Sequence, residues 1–319
     1  MGTTIDHKVI FGIDIGGTTV KCGLFDGEGV LLFSDEIPTR KDEGGSRILS
    51  DIEAHIKKIC EDRQIVKSNI LGIGMGIPGS ITEDGVVNKC VNLGWGIFNV
   101  KEEMASRTGL KVFVGNDANV AALGEYAKGG GKGYKSMMMV TIGTGVGGGV
   151  IIDGKPIFGA HGAAGEIGHI PMVESEKETC NCGKRGCLEQ VASATGIVRV
   201  ASRFLNDSDE PSELRNVQYL SAKAVFDEAK AGDGLALKVV DYVTEYLGRG
   251  LAVSAGVIDP ECFLIGGGVS KAGDFFIKKI EESYRRNVFY PSRDTAIVTA
   301  TLGNDAGMYG ASQLVLAGL

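Results

Sequence analysis

The strongest constraint on the fold is a strand-and-turn pattern that occurs twice in the sequence. Each copy has three short apolar strands, with a glycine-rich turn after the first strand and an Asp-Gly turn after the second. Asp-Gly favours a tight hairpin because both residues tolerate the positive φ that such a turn requires. The predicted strands are residues 9–15, 20–25 and 30–33 in one copy and 137–142, 150–152 and 156–158 in the other. This internal repeat predicts two related halves.

Apolar residues at helical spacing lie between the two copies and after the second one. Ile48, Ile52, Ile56 and Ile59 follow this spacing. Further helices are predicted at 194–204, 222–230 and 235–257, and further strands at 70–77, 112–114, 262–265 and 296–300. Strands that alternate with amphipathic helices predict α/β layers in which helices cover a central sheet.

The chain has 319 residues, which is long enough for two domains of ordinary size. We place the boundary near Asn116, where a predicted strand ends in a polar turn. The sequence thus predicts a smaller N-terminal domain over residues 1–116 and a larger domain over 117–304. A C-terminal helix, about 305–319, is expected to pack on the first domain.

The charge balance and the cysteine count limit the partners and the compartment. The 33 basic and 40 acidic residues give a net charge of −7, and no basic block is present to neutralise nucleic-acid phosphates, so no nucleic-acid partner is expected. The sequence shows neither a secretory leader nor an apolar run of membrane-spanning length, so no membrane partner is expected. An odd number of cysteines, seven, without a leader indicates a reducing compartment, and we predict a cytoplasmic protein.

A cluster of three cysteines and one histidine predicts a metal site. His169 precedes Cys180, Cys182 and Cys187, with glycines between the last two thiols. Three thiolates and one imidazole are the ligands that a tetrahedral Zn²⁺ prefers, and four protein ligands would make the zinc structural. A disulfide or a set of buried thiols is the alternative, but this density of cysteines favours zinc.

The glycine-rich turns are candidate phosphate sites, because the sequence contains no P-loop motif. Asp14 precedes Gly16 and Gly17, which places a carboxylate suited to hydrated Mg²⁺ beside an open backbone. Further donors to the phosphates are Thr18, Thr19 and Lys21. Taken alone, the first turn has an alternative interpretation as a tight hairpin that binds no ligand. The occurrence of a second, similar glycine turn favours phosphate binding. That second turn matches G-x-G-x-x-G, but a strand follows it instead of the helix that a dinucleotide site requires.

Four motifs occur in a fixed order along the chain: Asp14-Ile15-Gly16-Gly17-Thr18, Gly115-Asn116-Asp117-Ala118-Asn119, Gly165-Glu166-Ile167-Gly168-His169, and the cluster from Cys180 to Glu189. With these motifs the chain, from about Val9 to Gly310, resembles the ROK family of sugar kinases and repressors, and within it the bacterial glucokinases. The resemblance implies a two-domain α/β fold of the hexokinase and actin (ribonuclease H-like) type. It also implies a duplicated βββαβα core, an interdomain cleft and a homodimer.

The resemblance further implies ATP-dependent phosphorylation of glucose to glucose 6-phosphate, with Asp117 as the group that accepts the proton of the 6-hydroxyl. The implied sugar-binding residues are Gly79, Asn116, Asp117, Glu166, His169 and Glu189. Besides Asp14, Gly16, Gly17, Thr18, Thr19 and Lys21, the implied ATP and Mg²⁺ residues are Gly143, Thr144, Gly145, Gly147, Gly266, Gly267 and Gly268. An alternative role for the segment around Asp117 is to cap the helix that follows, with Asn119 as the expected cap.

Two alternative functions stay open. The implied sugar-binding residues suit hydroxyls common to many hexoses, so the substrate could instead be N-acetylmannosamine, mannose, fructose or allose. A sugar-sensing repressor without enzymatic activity would need a helix-turn-helix segment ahead of the first glycine turn. Eight residues precede Val9, so we expect no such segment.

Overall fold

The computed structural model describes residues 5–82 and 84–318. Their contacts divide the chain into two compact units. The first unit contains the described residues up to Lys132, together with Gly149–Ala164 and the segment from Asn304 onward. The second unit contains Gly133–Gly148 and Gly165–Gly303. The domain boundary expected near Asn116 stays a prediction.

The secondary structure alternates strands and helices as the sequence predicts. The strands are β1 (Val9–Ile15), β2 (Thr19–Asp26), β3 (Leu31–Pro38), β4 (Ile70–Ile77), β5 (Ser80–Ile81), β6 (Val86–Lys89), β7 (Phe98–Asn99), β8 (Val112–Asn116), β9 (Met137–Ile142), β10 (Val146–Ile152), β11 (Lys155–Ile157), β12 (Cys262–Gly266) and β13 (Ala296–Thr299). The helices are α1 (Asp42–Gly45), α2 (Ile48–Asp62), α3 (Val100–Thr108), α4 (Asp117–Lys128), α5 (Glu189–Ala192), α6 (Ala194–Asp207), α7 (Ala222–Ala231), α8 (Gly234–Ile258), α9 (Asp274–Asn287) and α10 (Ala306–Ala317).

Two sheets of the described residues share one topology. The first has the order β3-β2-β1-β4-β8 and the second the order β11-β10-β9-β12-β13. In the first sheet β1 is antiparallel to β2 and parallel to β4, and β4 is parallel to β8. In the second sheet β9, β12 and β13 are parallel. Each sheet therefore joins a three-stranded meander to two parallel strands, which is the duplication that the sequence repeat predicts.

The alternation of side chains along β1 gives the first sheet two buried faces. Phe11 and Ile13 point into a core that includes apolar residues of α2 and α3, whereas Ile10 packs with Met308 and Val315 of α10. Successive residues of a strand point to opposite faces, so a strand covered on both sides reads as a continuous apolar run. The strand therefore carries its polar residue, Asp14, on the face toward α10, the face of Ile10.

Glycines bring α10 directly against the sheet. A Cβ added at Gly74 would lie 1.7 Å from the carbonyl oxygen of Ala311, and one added at Gly12 would lie 2.4 Å from that of Met308. Real Cβ atoms cannot approach backbone oxygens so closely, so only glycine allows this contact. The same helix meets α4 at Gly310, where an added Cβ would lie 1.7 Å from the Val120 carbonyl oxygen.

Four helices, α6 to α9, pack together in the second unit, with α8 at their centre. The apolar face of α8 is buried from Leu235 to Ala255. Gly248 allows α9 to approach, because a Cβ there would lie 2.4 Å from the Ser283 hydroxyl oxygen. None of the helices in the described part of the chain combines the length and apolar content that a bilayer crossing requires.

We expect Gly74→Ala to lower the free energy of unfolding of the first unit by about 2 kcal/mol or more, because the added methyl group overpacks the contact with α10. The single tryptophan, Trp95, is buried in this unit, so its fluorescence during urea unfolding measures the change. Gly96→Ala is the matched control, since an added Cβ there meets no atom within 4 Å. Equal stability of the two variants would contradict the close packing of α10.

Candidate functional site

Asp14 is a partly shielded carboxylate at the end of β1, next to the start of α10. A Cβ added at Gly307 would lie 2.5 Å from the Asp14 carboxyl carbon, so a side chain at this position would displace the carboxylate. Burial raises the pKa of Asp14 to about 6, and the nearby Asp117 carboxylate adds to the rise. Lys21 partly opposes this shift, and Asp305 raises it again. A carboxylate crowded by other carboxylates suits a divalent cation, because the cation relieves their repulsion.

The turn between β1 and β2 is fixed by hydrogen bonds at both ends. The Gly16 amide donates to the Thr19 carbonyl oxygen at 2.9 Å, and the Thr39 hydroxyl donates to the Gly16 carbonyl oxygen at 2.7 Å. Lys21, expected to contact phosphate, donates to the Asn304 carbonyl oxygen at 2.8 Å and to Asp305 Oδ1 at 3.0 Å. In this structure Lys21 therefore ties β2 to the residues that precede α10.

Asn116 and Asp117 lie where β8 ends and α4 begins. The Asn116 side-chain oxygen accepts from the backbone amides of Ala118 at 3.0 Å and Asn119 at 3.2 Å, so Asn116 is the N-cap of α4. The expectation that Asn119 caps this helix is wrong, because the helix starts at Asp117 and Asn119 is already buried in its first turn. The extended backbone of Asn116 is what directs its side chain at the unpaired amides.

The same cap orients the Asp117 carboxylate. Asp117 Oδ1 accepts from Asn116 Nδ2 at 3.0 Å and from the Ala118 amide at 2.8 Å. Asn116 Nδ2 also donates to the Gly79 carbonyl oxygen at 3.0 Å. Gly79, Asn116 and Asp117, three of the residues predicted to bind sugar, thus form one hydrogen-bonded group in the first unit.

The cysteine and histidine cluster forms in the second unit. The candidate ligand atoms of His169, Cys180, Cys182 and Cys187 all lie within 4.8 Å of one another. Cys182 Sγ and Cys187 Sγ are 3.5 Å apart, and Cys180 Sγ is 3.8 Å from His169 Nδ1. Sulfurs at about 2.3 Å from one tetrahedral ion would be about 3.8 Å apart, and a disulfide would need about 2.05 Å. The arrangement therefore fits a four-coordinate metal ion and holds the thiols as free thiols.

Glu166 and Glu189 lie beside this cluster. Burial raises the pKa of Glu166, His169 partly opposes the rise, and the Glu189 carboxylate adds to it, so the three groups are close enough to interact. Glu189 Oε2 accepts from the Val146 amide at 2.9 Å, which links the cluster to the glycine turn before β10. The other three predicted sugar-binding residues, Glu166, His169 and Glu189, are thus together in the second unit.

A cavity of about 560 Å³ opens beside the glycine turn of the second unit. Gly143, Thr144 and Gly268, all predicted to bind nucleotide, line it. Gly266 and Gly267 come directly before Gly268 at the end of β12, Gly145 continues the turn from Thr144, and Gly147 lies in the first residues of β10. The volume of the cavity is typical of pockets that hold a small ligand.

One wall of this cavity is formed by α7, which no motif in the sequence marks as a ligand-facing helix. The residues involved are Ser221, Ala222, Lys223, Phe226, Asp227 and Lys230, and beyond β12 Val269, Lys271 and Ala272 also contribute. The amphipathic pattern predicts α7 as a helix, but it cannot tell which helix faces a ligand. Glycine turns were the only signal in the sequence for this cavity.

Comparison with known proteins gives one consistent match. A sequence model described as the ROK family matches residues 10–317. A protein of Halalkalibacterium halodurans named glucokinase is 44% identical over 309 residues, which cover 95% of this chain and 94% of that protein.

Two solved structures match over nearly the whole chain. One is a ROK family glucokinase from Streptomyces griseus in complex with glucose and AMPPNP, with 35% identity, a TM-score of 0.75 and coverage of 96% of this chain and 98% of the other. The other is a ROK hexokinase from Thermus thermophilus, with 30% identity, a TM-score of 0.81 and coverage of 96% and 97%. The predicted two-domain α/β fold of the hexokinase and actin type is confirmed.

We expect Asp14→Asn to raise the free energy of unfolding of the first unit by about 1–3 kcal/mol at pH 7.5. The folded-state pKa of Asp14, about 6, lies above the ordinary aspartate pKa of 3.8, so ionisation costs stability as pH rises through this interval. The gain should disappear below about pH 3, where Asp14 is protonated in both states. Urea unfolding at several pH values, followed by Trp95 fluorescence, measures the difference from wild type.

The matched control for this prediction is Asp6→Asn, because the Asp6 side chain is 95% exposed in the same unit. We expect this control to change stability by less than about 0.5 kcal/mol at any of these pH values. A destabilised Asp14→Asn variant at pH 7.5 would contradict the proposed crowding of carboxylates.

Proposed function

The chain belongs to the ROK family, and we propose that it is a glucokinase that transfers the γ-phosphoryl group of ATP to the 6-hydroxyl of glucose. The observation that carries this proposal is the hydrogen-bonded group of Gly79, Asn116 and Asp117, which holds a carboxylate in a fixed orientation at a helix N-terminus. The likeness to the glucokinases of Halalkalibacterium halodurans and Streptomyces griseus supports glucose as the acceptor.

Asp117 is the proposed acceptor of the proton from the sugar hydroxyl. An aspartate carboxylate has a pKa of about 3.9 in model peptides, far below that of an alcohol, so it cannot remove the proton from the free hydroxyl. It can accept the proton late, as the bond to phosphorus forms and the hydroxyl becomes acidic. The two hydrogen bonds to Asp117 Oδ1 fix the orientation of the carboxylate before the reaction. The carboxylate therefore loses less rotational entropy on reaching the transition state.

Sugar binding is assigned to the two groups of polar residues described above. Gly79, Asn116 and Asp117 come from the first unit and Glu166, His169 and Glu189 from the second. Carboxylates and amides pair with hydroxyl groups in defined directions, and a buried polar group left unpaired penalises a sugar that lacks the hydroxyl. The mutual influence of Glu166, His169 and Glu189 supports a shared polar surface in the second unit.

ATP binding is assigned to the glycine turns and to the cavity beside the second turn. We place Mg²⁺ at Asp14, where it would neutralise charge on the triphosphate, and the phosphates against Gly16, Gly17, Thr18, Thr19 and Lys21. The cavity lined by Gly143, Thr144 and Gly268 takes the nucleoside. Contact between Lys21 and phosphate would require the ammonium group to leave Asp305.

The cluster of His169, Cys180, Cys182 and Cys187 is assigned to zinc. A zinc ion bound by four protein ligands supplies a structural crosslink. His169 Nδ1 faces Cys180 Sγ, so His169 meets the cluster through Nδ1 and keeps Nε2 for a sugar hydroxyl. Free thiols at this spacing persist in a reducing compartment, which supports a cytoplasmic location.

A homodimer is proposed on the basis of exposed apolar side chains in the second unit. Val257 is 83% exposed, Phe289 is 75% exposed and Tyr290 is 79% exposed. Large apolar groups in contact with water often mark a surface that another subunit covers.

We expect turnover with ATP and Mg²⁺ to be highest for glucose, because the chain is similar over nearly its whole length to proteins named glucokinase. The measurement is a coupled assay for ADP release that compares kcat/KM for glucose, N-acetylmannosamine, mannose, fructose and allose. A preference for one of the other sugars would retain the kinase and reject glucose as the substrate. No turnover with any sugar would favour a sugar-sensing protein.

We expect Asp117→Asn to lower kcat by about a hundredfold or more and to change glucose affinity by only a few-fold. Asparagine at position 117 keeps an oxygen that can accept the hydrogen bonds from Asn116 and Ala118, but it cannot take the proton of the sugar hydroxyl. The ADP assay gives kcat, and isothermal titration calorimetry gives the dissociation constant for glucose. Asp6→Asn should match wild type in both measurements, and a kcat near wild type in Asp117→Asn would exclude Asp117 as the proton acceptor.

A further inference from the structure

One buried amide side chain joins the two ends of the cysteine loop, residues 178–187. Gln190 is 3% exposed and lies on α5. Its Oε1 accepts from the backbone amides of Gly186 at 2.9 Å and Cys187 at 3.1 Å. Its Nε2 donates to the carbonyl oxygen of Glu178 at 3.0 Å. The Gln190 side chain therefore contacts the chain just before Cys180 and again at Cys187.

The cysteine loop depends on such contacts because little regular structure supports it. Gly183 and Gly186 both have positive φ, and the Cys180 amide bonds only across the turn, to the Lys184 carbonyl oxygen at 2.8 Å. Gly186 and Cys187 are buried. A buried backbone amide needs an acceptor, and Gln190 is the side chain that supplies one to both residues.

The first end of the loop is anchored to α6 by a network of ion pairs. The fully buried side chain of Glu176 accepts from both terminal nitrogens of Arg203, at 2.9 and 2.7 Å, and these bonds hold the pKa of Glu176 at about 2. Glu178 donates its amide to Glu176 Oε1 at 3.0 Å and pairs with Arg203 and Arg199. Arg199 also donates to the Gln190 carbonyl oxygen at 2.9 Å. Gln190 thus connects this anchor to the chain at Gly186 and Cys187.

We propose that Gln190 is a positioning residue for the metal cluster, which sets the separation of Cys180 and Cys187 so that the loop is shaped for its ion before the ion binds. This inference rests on the zinc site of the proposed function. Partners of this kind behind metal ligands commonly change metal affinity by about 10–100-fold when they are removed.

The position of α5 also bears on the sugar and nucleotide sites. Glu189 precedes Gln190 and accepts from the Val146 amide. At the start of α6, the Ala194 amide donates to the Gly143 carbonyl oxygen at 2.8 Å and the Thr195 hydroxyl donates to that of Thr144 at 2.9 Å. A shift of the loop would therefore move Glu189 relative to the glycine turn, and the KM for glucose should rise more than kcat falls.

The test compares two substitutions at Gln190 in the full-length protein. Gln190→Met keeps the length of the side chain and removes all three hydrogen bonds, whereas Gln190→Glu keeps the acceptor for Gly186 and Cys187 and removes the donor to Glu178. Zn²⁺ affinity is measured by competition with a chelating dye, and ligand geometry by the visible absorption of the Co²⁺-loaded protein. We expect Gln190→Met to weaken Zn²⁺ binding at least about tenfold and to alter the Co²⁺ spectrum, and Gln190→Glu to recover most of both.

Two controls separate positioning from a general loss of stability. Asn287 ends α9 in the same unit, and its amide group donates hydrogen bonds to Ser283 of α9 and Glu245 of α8. Asn287→Leu removes these bonds, so it should lower stability and leave Zn²⁺ affinity unchanged. Cys182→Ser removes a ligand and should weaken Zn²⁺ binding even if the loop keeps its shape.

The outcomes distinguish a failure of the Gln190 role from a failure of the zinc site itself. Zn²⁺ affinity within twofold of wild type in Gln190→Met, with an unchanged Co²⁺ spectrum, would overturn the role of Gln190 and leave the zinc site in place. If Gln190→Met does not fold, no recovery of Zn²⁺ affinity in a folded Gln190→Glu would overturn the role as well. Wild-type protein that binds no Zn²⁺ would overturn the metal site and, with it, this inference.

Discussion

The contact of α10 with β1 and β4 determines how the first unit is built. Gly12 and Gly74 remove the side chains that would otherwise separate the helix from the sheet, and Gly307 lets the start of the helix reach Asp14. Burial of Asp14 follows from this contact, and so does the rise in its pKa. The unit therefore keeps a carboxylate where water is partly excluded and other carboxylates are near. Such a group lowers the stability of the unit unless a cation binds to it. Charged groups that lower stability in this way are common at functional sites.

The second unit depends in a comparable way on the short helix α5. Glu189 accepts a hydrogen bond from the glycine turn, and Gln190 bonds to both ends of the cysteine loop. Two adjacent residues thus link the cluster of three cysteines and one histidine to the glycine turn beside the cavity. The helix itself has only four residues and could not hold this position by its own hydrogen bonds. Its place is set by the side chains that it carries and by the capped helix α6 that follows.

Much of this arrangement could be predicted because it has a local signal in the sequence. Asp-Gly turns, the two glycine clusters and the spacing of three cysteines each reflect chemistry among neighbouring residues. The strands appear where these signals place them, and the three cysteines come together with His169. The helix cap was predicted at Asn119 and lies at Asn116, because residue type alone does not define where a helix begins. The α7 wall of the cavity, Gln190 and the Glu176–Arg203 pair had no local signal, since their partners are distant in sequence or depend on how helices pack.

The order of segments along the chain has a consequence for synthesis. The second unit lies within the sequence of the first, and α10 follows all of it. While a ribosome makes the second unit, the face of the first sheet that carries Ile10, Gly12 and Gly74 lacks α10, the helix that covers these residues in the folded unit. Exposed apolar strands in a nascent chain promote aggregation and attract chaperones. The first unit can therefore reach its final packing only after the second unit has been synthesised, although its strands are made first.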